Sequence, residues 1–400
     1  MSLLDEAAAL LPELTELRHD LHREPELGLD LPRTQERVLA ALKGLPLEIG
    51  TGKGLSSVTA VLRGGRPGPA VLLRGDMDAL PVQEEADVPY ASQVPGRMHA
   101  CGHDMHVAGL VGAARLLAAR RDELPGDVVF MFQPGEEGMG GAKIMIDEGV
   151  LDAAGERVIA AYALHVFSTL LPSGYAITRP GPILAASDAV RVTVRGAGGH
   201  GSSPHSALDP IPALCAMVGE LQTMVTRTMD AHDPAVVTVG NIHAGTIANV
   251  IPDSGYFEAT VRTFSDEAHR KVREGVERVV RGVAAAHGVE ADVEYEEQYP
   301  VTANHPGEAA FALETAQGLF GPDLAFEAPK PMSGAEDFSF VLREVPGAYL
   351  FLSACPAGVD PATAAMNHSP QAVYGDEALP GAAALLAELA IRRLGRETAR

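Results

Sequence analysis

The chain has 400 residues, 46% of them hydrophobic, and carries 53 acidic against 31 basic side chains, for a formal net charge of −22. That length and apolar content suffice for more than one buried core and exclude a disordered chain. The negative charge disfavours nucleic acid and anionic membrane surfaces as partners.

Leucines at 10, 14, 17 and 21 recur at helical spacing and predict a helix over residues 10–22, followed by another over 34–45. The opening residues 1–17 lack a basic start and an unbroken apolar run, so they read as neither a signal peptide nor a membrane anchor. Short apolar, β-branched runs bounded by Gly and Pro then occur at 57–62, 70–74, 128–132 and 159–166, the mark of strands covered on both faces. An Ala- and Leu-rich helix is expected at 107–117. This alternation predicts an α/β domain with a mostly parallel central sheet, whose catalytic groups lie in loops beyond the strands' carboxyl ends.

From about 186 the order becomes strand (190–194), helix (211–226), strand (235–242), strand (255–264), helix (267–287) and strand (289–295). It is the pattern of an α+β, ferredoxin-like sandwich, with helices on one sheet face only. A buried run at 348–353 and an alanine-rich helix at 380–394 return to the first pattern. The expected organisation is a catalytic domain over 1–185 and 300–400, interrupted by a smaller domain at 186–299. Three cysteines, at 101, 215 and 355, are few and odd in number, the usage of a reducing, cytoplasmic compartment. Cys215 and Cys355 are expected as small core residues.

Chemistry concentrates in four segments. Met98-His99-Ala100-Cys101-Gly102-His103-Asp104-Met105-His106 packs three histidines, a thiol and a carboxylate into one short stretch. Gly102 lets the backbone bend so that Cys101 and His103 converge on one ion, although a polar surface turn with an incidental thiol has the same composition. In Gln133-Pro134-Gly135-Glu136-Glu137-Gly138 a buried strand runs into two adjacent carboxylates. On extended backbone such neighbours point to opposite sides, so one can ligate a cation while the other handles a proton; a solvated acidic turn is the plain alternative. His165 ends an apolar strand, and His368 lies in Met366-Asn367-His368-Ser369-Pro370 before the last helix. Jointly Cys101, His103, Glu137, His165 and His368 suffice for two divalent ions if one ligand bridges. That donor set suits zinc, manganese, cobalt or nickel and does not decide among them; zinc or manganese is the favoured expectation.

Further segments widen the pattern: Arg18-His19-Asp20-Leu21-His22-Arg23-Glu24-Pro25-Glu26-Leu27-Gly28, Arg74-Gly75-Asp76-Met77-Asp78-Ala79-Leu80-Pro81, Gly198-Gly199-His200, Asn249-Val250-Ile251-Pro252, Glu336-Asp337-Phe338 and His368-Ser369-Pro370. With the metal-type motifs they resemble the aminoacylase and carboxypeptidase metallopeptidase family, specifically its amidohydrolase branch of hippurate hydrolases, N-acyl-amino-acid amidohydrolases and auxin-conjugate hydrolases. The resemblance implies that the five named residues are the ligands and Glu136 the general base and acid. It implies hydrolysis of the amide of an N-acyl amino acid by metal-activated water, with a carboxypeptidase or dipeptidase activity as the alternative. The interrupting domain would be a lid that also forms a homodimer or higher homo-oligomer. His200 would stabilise the oxyanion and Asn249 would hold substrate, while Arg262 suits the substrate carboxylate because a guanidinium meets two oxygens at once. Asp76, Asp78 and Asp104 would orient ligands from behind. One departure stands out: Ala259 occupies a position where the family commonly has glycine, and its methyl is expected to narrow the substrate cradle. Two other classes fit parts of the pattern, a metal-storage protein and a thiol hydrolase with Cys101 as nucleophile and His103 or His106 as its base.

Overall fold

Eight strands form one sheet in the order Leu47–Thr51, Val58–Leu62, Pro125–Gln133, Arg66–Asp76, Ala160–Phe167, Gly347–Ser353, Ala176–Thr178 and Ala325–Glu327, in a computed structural model that describes residues 2–398. The four central members, from Pro125–Gln133 to Gly347–Ser353, run parallel to one another. These strands are built from Val, Leu, Ala and Phe and are buried along most of their length, as a sheet covered on both faces requires. The architecture is α/β with a large, mostly parallel central sheet.

This sheet belongs to the larger of two compact units, formed by Met1–Ile183, Ala303–Lys330 and Asp337–Arg400. Its most buried helix, His103–Ala119, begins two residues after Cys101 and packs against the terminal helix Leu379–Thr398 and the helix Leu11–Arg23. Leu14 and Leu21 of the latter are fully buried, as their spacing predicts. Leu10 instead caps the helix, because a separate helix, Leu3–Ala9, ends there. The second predicted helix spans Pro32–Leu42, opened by a proline whose fixed φ and missing N–H suit a first turn.

The smaller unit comprises Leu184–Thr302 and Pro331–Glu336. Its four-stranded antiparallel sheet has the order Ala235–Ala244, Ser254–Thr263, Ala186–Arg195, Glu290–Tyr299, the ferredoxin-like arrangement. The helices Pro210–Thr228 and Asp266–His287 share an apolar core with the sheet. Asp209 caps the first by accepting from the Ile211 N–H, and Ser265 caps the second by accepting from the Ala268 N–H.

Two sequence expectations need correction here. Cys355 is buried, but Cys215 is exposed: Ala213, Leu214, Met217, Leu221 and Met224 fix the inward stripe of its helix, and position 215 falls outside it. Ala259 does not narrow a cradle, because strand alternation puts its methyl in the unit's own core with Phe257 and Val261, while Thr260 and Arg262 take the opposite face.

Candidate metal centre

The topology explains why distant motifs meet. Asp76 ends one central strand, Glu136 and Glu137 follow the next, His165 lies near the end of a third, and His368 follows the fourth in sequence. All four strands are parallel, so these groups gather at their carboxyl ends. Gly102 adds the fifth segment. Its φ of +85° is left-handed, and a Cβ there would stand 2.6 Å from Val166 Cγ2 and 3.1 Å from the Tyr374 ring. Glycine alone turns this corner, placing Cys101 before the helix and His103 at its first position.

The five side chains converge. Cys101 Sγ lies 3.3 Å from His165 Nε2 and 3.2 Å from His368 Nε2. Glu137 Oε1 lies 3.4 Å from His368 Nε2 and 4.0 Å from His103 Nε2. One donor atom from each of Cys101, His103 and His165 falls within 4.8 Å of the other two, as do those of Cys101, Glu137 and His368, so Cys101 belongs to both sets. His103, Glu136 and Glu137 meet the same limit, which brings the additional carboxylate against the cluster.

Tautomers follow from the partners. His103 Nδ1 donates to the Asp78 carbonyl at 2.8 Å and His165 Nδ1 to the Val166 carbonyl at 2.7 Å. A carbonyl only accepts, so in the neutral ring both expose a bare Nε2 lone pair to the cluster. His103 Nε2 is buried with no hydrogen-bond partner among the described residues, and the buried Glu137 Oε1 has only the long approach of His368 Nε2 at 3.4 Å. One orphaned and one under-satisfied atom, beside a thiol and two further imidazoles, fit a divalent metal ion. Electrostatics agree. Hydrogen bonding to Cys101, then to Glu137, pushes His368 up to about 10, while burial, reinforced by Glu137, pushes the Cys101 thiol up. Burial, then the neighbouring His106, holds His165 well below the usual imidazole range, in its neutral form.

The three aspartates divide their work. Asp78 accepts the backbone N–H of Glu136 through Oδ1 and that of Glu137 through Oδ2, each at 3.0 Å, so one carboxylate mounts both glutamates. Asp76 accepts from Arg74 and from His106 Nδ1, with His103 Nε2 at 3.6 Å. The Asp104 side chain hydrogen-bonds none of the five. Its Oδ2 accepts from Arg18 Nε and His22 Nδ1, both at 2.8 Å. Burial opposes its ionisation, but the Arg18 guanidinium holds its carboxyl far below the usual range.

The sequence offers His106 only as an alternative base for Cys101. Its Nε2 accepts from the Val166 N–H at 2.8 Å and its Nδ1 faces Asp76, so both nitrogens are committed and neither can serve Cys101 as a base. Helical spacing of three from His103 was the available signal. Arg74, fully buried, bonds Gln133, Asp76 and Asp337 and was not singled out.

The remaining expected residues lie in the smaller unit. His200 and Val250 are paired in a two-stranded ladder, which sets Asn249 beside the histidine, and both His200 and Asn249 are exposed. His200 Nδ1 accepts from the Ser202 N–H at 3.1 Å, leaving the proton of the neutral ring on Nε2. Arg262 is half-buried and donates to Thr260 Oγ1 at 2.7 Å and the Val261 carbonyl at 2.9 Å.

A family model described as peptidase family M20/M25/M40 matches residues 72–392. Thermostable carboxypeptidase 2 of Saccharolobus solfataricus is 38% identical, with 85% of each chain covered. Hippurate hydrolase of Campylobacter jejuni is 34% identical over 98% of this chain and 100% of its own. Among solved structures, the YXEP protein of Bacillus subtilis, titled a dinuclear metal binding peptidase from the M20 family, superposes with a TM-score of 0.82 at 33% identity over 97% of this chain and 99% of its own. The chain belongs to peptidase family M20/M25/M40 and is a metal-dependent amidohydrolase. No helix among the described residues is long and apolar enough to cross a membrane.

Proposed function

We propose that this enzyme hydrolyses N-acyl amino acids, releasing a carboxylic acid and a free amino acid, with Glu136 moving the proton. The observation carrying this reading is the convergence of Cys101, His103, Glu137, His165 and His368 with Glu136 held against them. The names of the two relatives share one chemistry: hippurate and the C-terminal end of a peptide are both amides whose amine side is an amino acid with a free carboxylate.

Two divalent ions held by the five residues, zinc or manganese before cobalt or nickel, would supply Lewis acidity to the amide carbonyl and acidify water. Glu136 takes a proton from the attacking water as the C–O bond forms and returns it to the amide nitrogen as the C–N bond breaks. Asp78, through the two backbone N–H groups it accepts, keeps Glu136 and Glu137 in fixed relation while this happens. His200, with its proton on Nε2, has the right tautomer to donate to the developing oxyanion. Asn249 and Arg262 are assigned to the substrate, Arg262 to its carboxylate. The smaller unit is assigned the role of lid and homodimerisation domain, with the whole cytoplasmic, as its three free cysteines favour.

Elemental analysis of the purified enzyme, combined with turnover of hippurate, N-acetyl amino acids and N-blocked dipeptides, tests cofactor and reaction together. Bound divalent metal and release of free amino acid are expected, with activity lost on chelation and regained when the ion is returned. Turnover that survives complete metal removal rejects the reading in favour of a cysteine nucleophile. The carboxypeptidase relative supports the second reading, and it prevails if blocked dipeptides outrun every simple acyl amino acid.

A further inference from the structure

The loop 366–370 contributes His368 to the cluster, but the residue before it makes more connections. Asn367 Nδ2 donates to the Cys101 carbonyl at 3.2 Å and to the Val166 carbonyl at 3.0 Å. Its Oδ1 accepts from the Ser168 N–H at 3.2 Å. The amide orientation is not arbitrary: two carbonyls must face Nδ2, and a backbone N–H must face Oδ1.

Each partner lies on or beside a segment carrying a proposed ligand. Cys101 is one itself. The Val166 carbonyl is the acceptor that fixes the His165 ring through its Nδ1. His368 adds a parallel tie, its own N–H donating to the Ala100 carbonyl at 2.8 Å. It does so with φ of +70°, a left-handed conformation that a residue with a Cβ adopts only where its surroundings impose it. Ser168 Oγ closes the set by donating to the Ala365 carbonyl at 2.6 Å.

We infer that Asn367 is a positioning residue that clamps the segments bearing Cys101, His165 and His368 in mutual register, and so sets how tightly the centre holds its ions. This rests on the proposed ligand set. Apart from a long bond accepted from Ser168 Oγ at 3.4 Å, Asn367 bonds backbone of the other two segments and no ligand side chain, so its effect passes through the ligands. Its site is half-buried, and water can reach the two carbonyls once the amide is removed.

The test is Asn367→Ala and Asn367→Asp in the full-length enzyme, read by ion retention against a graded chelator and by the melting temperature of the metal-stripped protein. Asn367→Ala is expected to retain metal about 10- to 100-fold less tightly, with the metal-free melting temperature moving by no more than about 3 °C. Asn367→Asp, which turns an anionic oxygen toward two carbonyls, is expected to retain it less tightly still. Cys101→Ser is measured alongside. If it keeps the wild-type metal content and affinity, the ligand reading itself fails. If it loses metal while Asn367→Ala holds ions as tightly as wild type, the clamp alone is overturned. A large loss of metal-free stability with unchanged retention, or failure of both Asn367 variants to fold without metal, makes the residue purely structural and also overturns the clamp.

Discussion

The polar residues at the carboxyl ends of the central strands and those on the smaller unit are held in opposite ways. In the first region His103 leans on the Asp78 carbonyl, His165 on the Val166 carbonyl, and both glutamate N–H groups on the Asp78 carboxylate. Burial forces this, since an unpartnered polar group without water costs more than the side chain returns. In the second region His200 and Asn249 are exposed, and the bonds they make are to close chain neighbours and the facing strand, such as Ser202 N–H to His200 Nδ1 and Gly201 N–H to the Asn249 carbonyl. The difference separates pre-organised groups from those free to adjust around a ligand, and it orders the consequences of removing each.

Glu136→Gln should have the largest effect. It keeps the shape of the side chain and the backbone bonds to Asp78, so metal content should match wild type while kcat falls by about a thousandfold or more, as for loss of a positioned base. Parallel loss of metal would mean that Glu136 is a ligand, blurring the division between Glu136 and Glu137.

Asp104→Asn sharpens the contrast within the buried region. It leaves Arg18 and His22 facing a neutral amide, and breaking such a buried pair costs about 3 kcal/mol of stability by denaturant titration. Because Asp104 bonds helix-packing residues and none of the five donors, the metal content of the folded fraction should not change. A drop in metal content would restore the orienting role that adjacency to His103 suggested.

His200→Ala carries the comparison to the exposed region. If its Nε2–H meets the oxyanion, kcat should fall by about a hundredfold with little change in metal content or stability. A change confined to KM would make His200 a substrate-holding residue.

What was legible in the sequence follows the same division. Buried strands such as Arg66–Asp76 and Pro125–Gln133 announce themselves by unbroken apolar runs, and the cysteine and histidine cluster by its density. The edge strand Leu47–Thr51 was missed because four of its five residues are exposed, leaving no apolar pattern to read. Asp104 looked like a partner of the metal-type residues because it follows His103. On a helix, however, consecutive side chains diverge by about 100°, and its carboxylate went to Arg18 and His22. Asn367 and His106 were in plain view, but their work is bonding to backbone of segments far away in the chain, which no local pattern encodes.

The smallest expected effect concerns stability of the smaller unit and tests whether a partly exposed histidine on a buried carboxylate matters there. His269 Nε2 donates to Asp188 Oδ2 at 2.9 Å, and Tyr295 Oη donates to the same buried carboxylate at 2.9 Å. The hydrogen bond to Asp188 raises the His269 pKa, partial burial opposes the rise, and Glu297 and Asp266 add to it. A histidine whose folded pKa lies above its unfolded value binds protons preferentially in the folded state. Its contribution is therefore complete below the unfolded value of about 6.5, and it is lost as pH rises through the folded one. For a partly exposed histidine on a buried carboxylate the gain should be on the order of 1 kcal/mol and should shrink only weakly with added salt. Melting curves of wild type and His269→Gln should thus differ at pH 5.5 and converge near pH 9. A difference that holds constant across that range would assign the histidine a packing role and leave the charge with none.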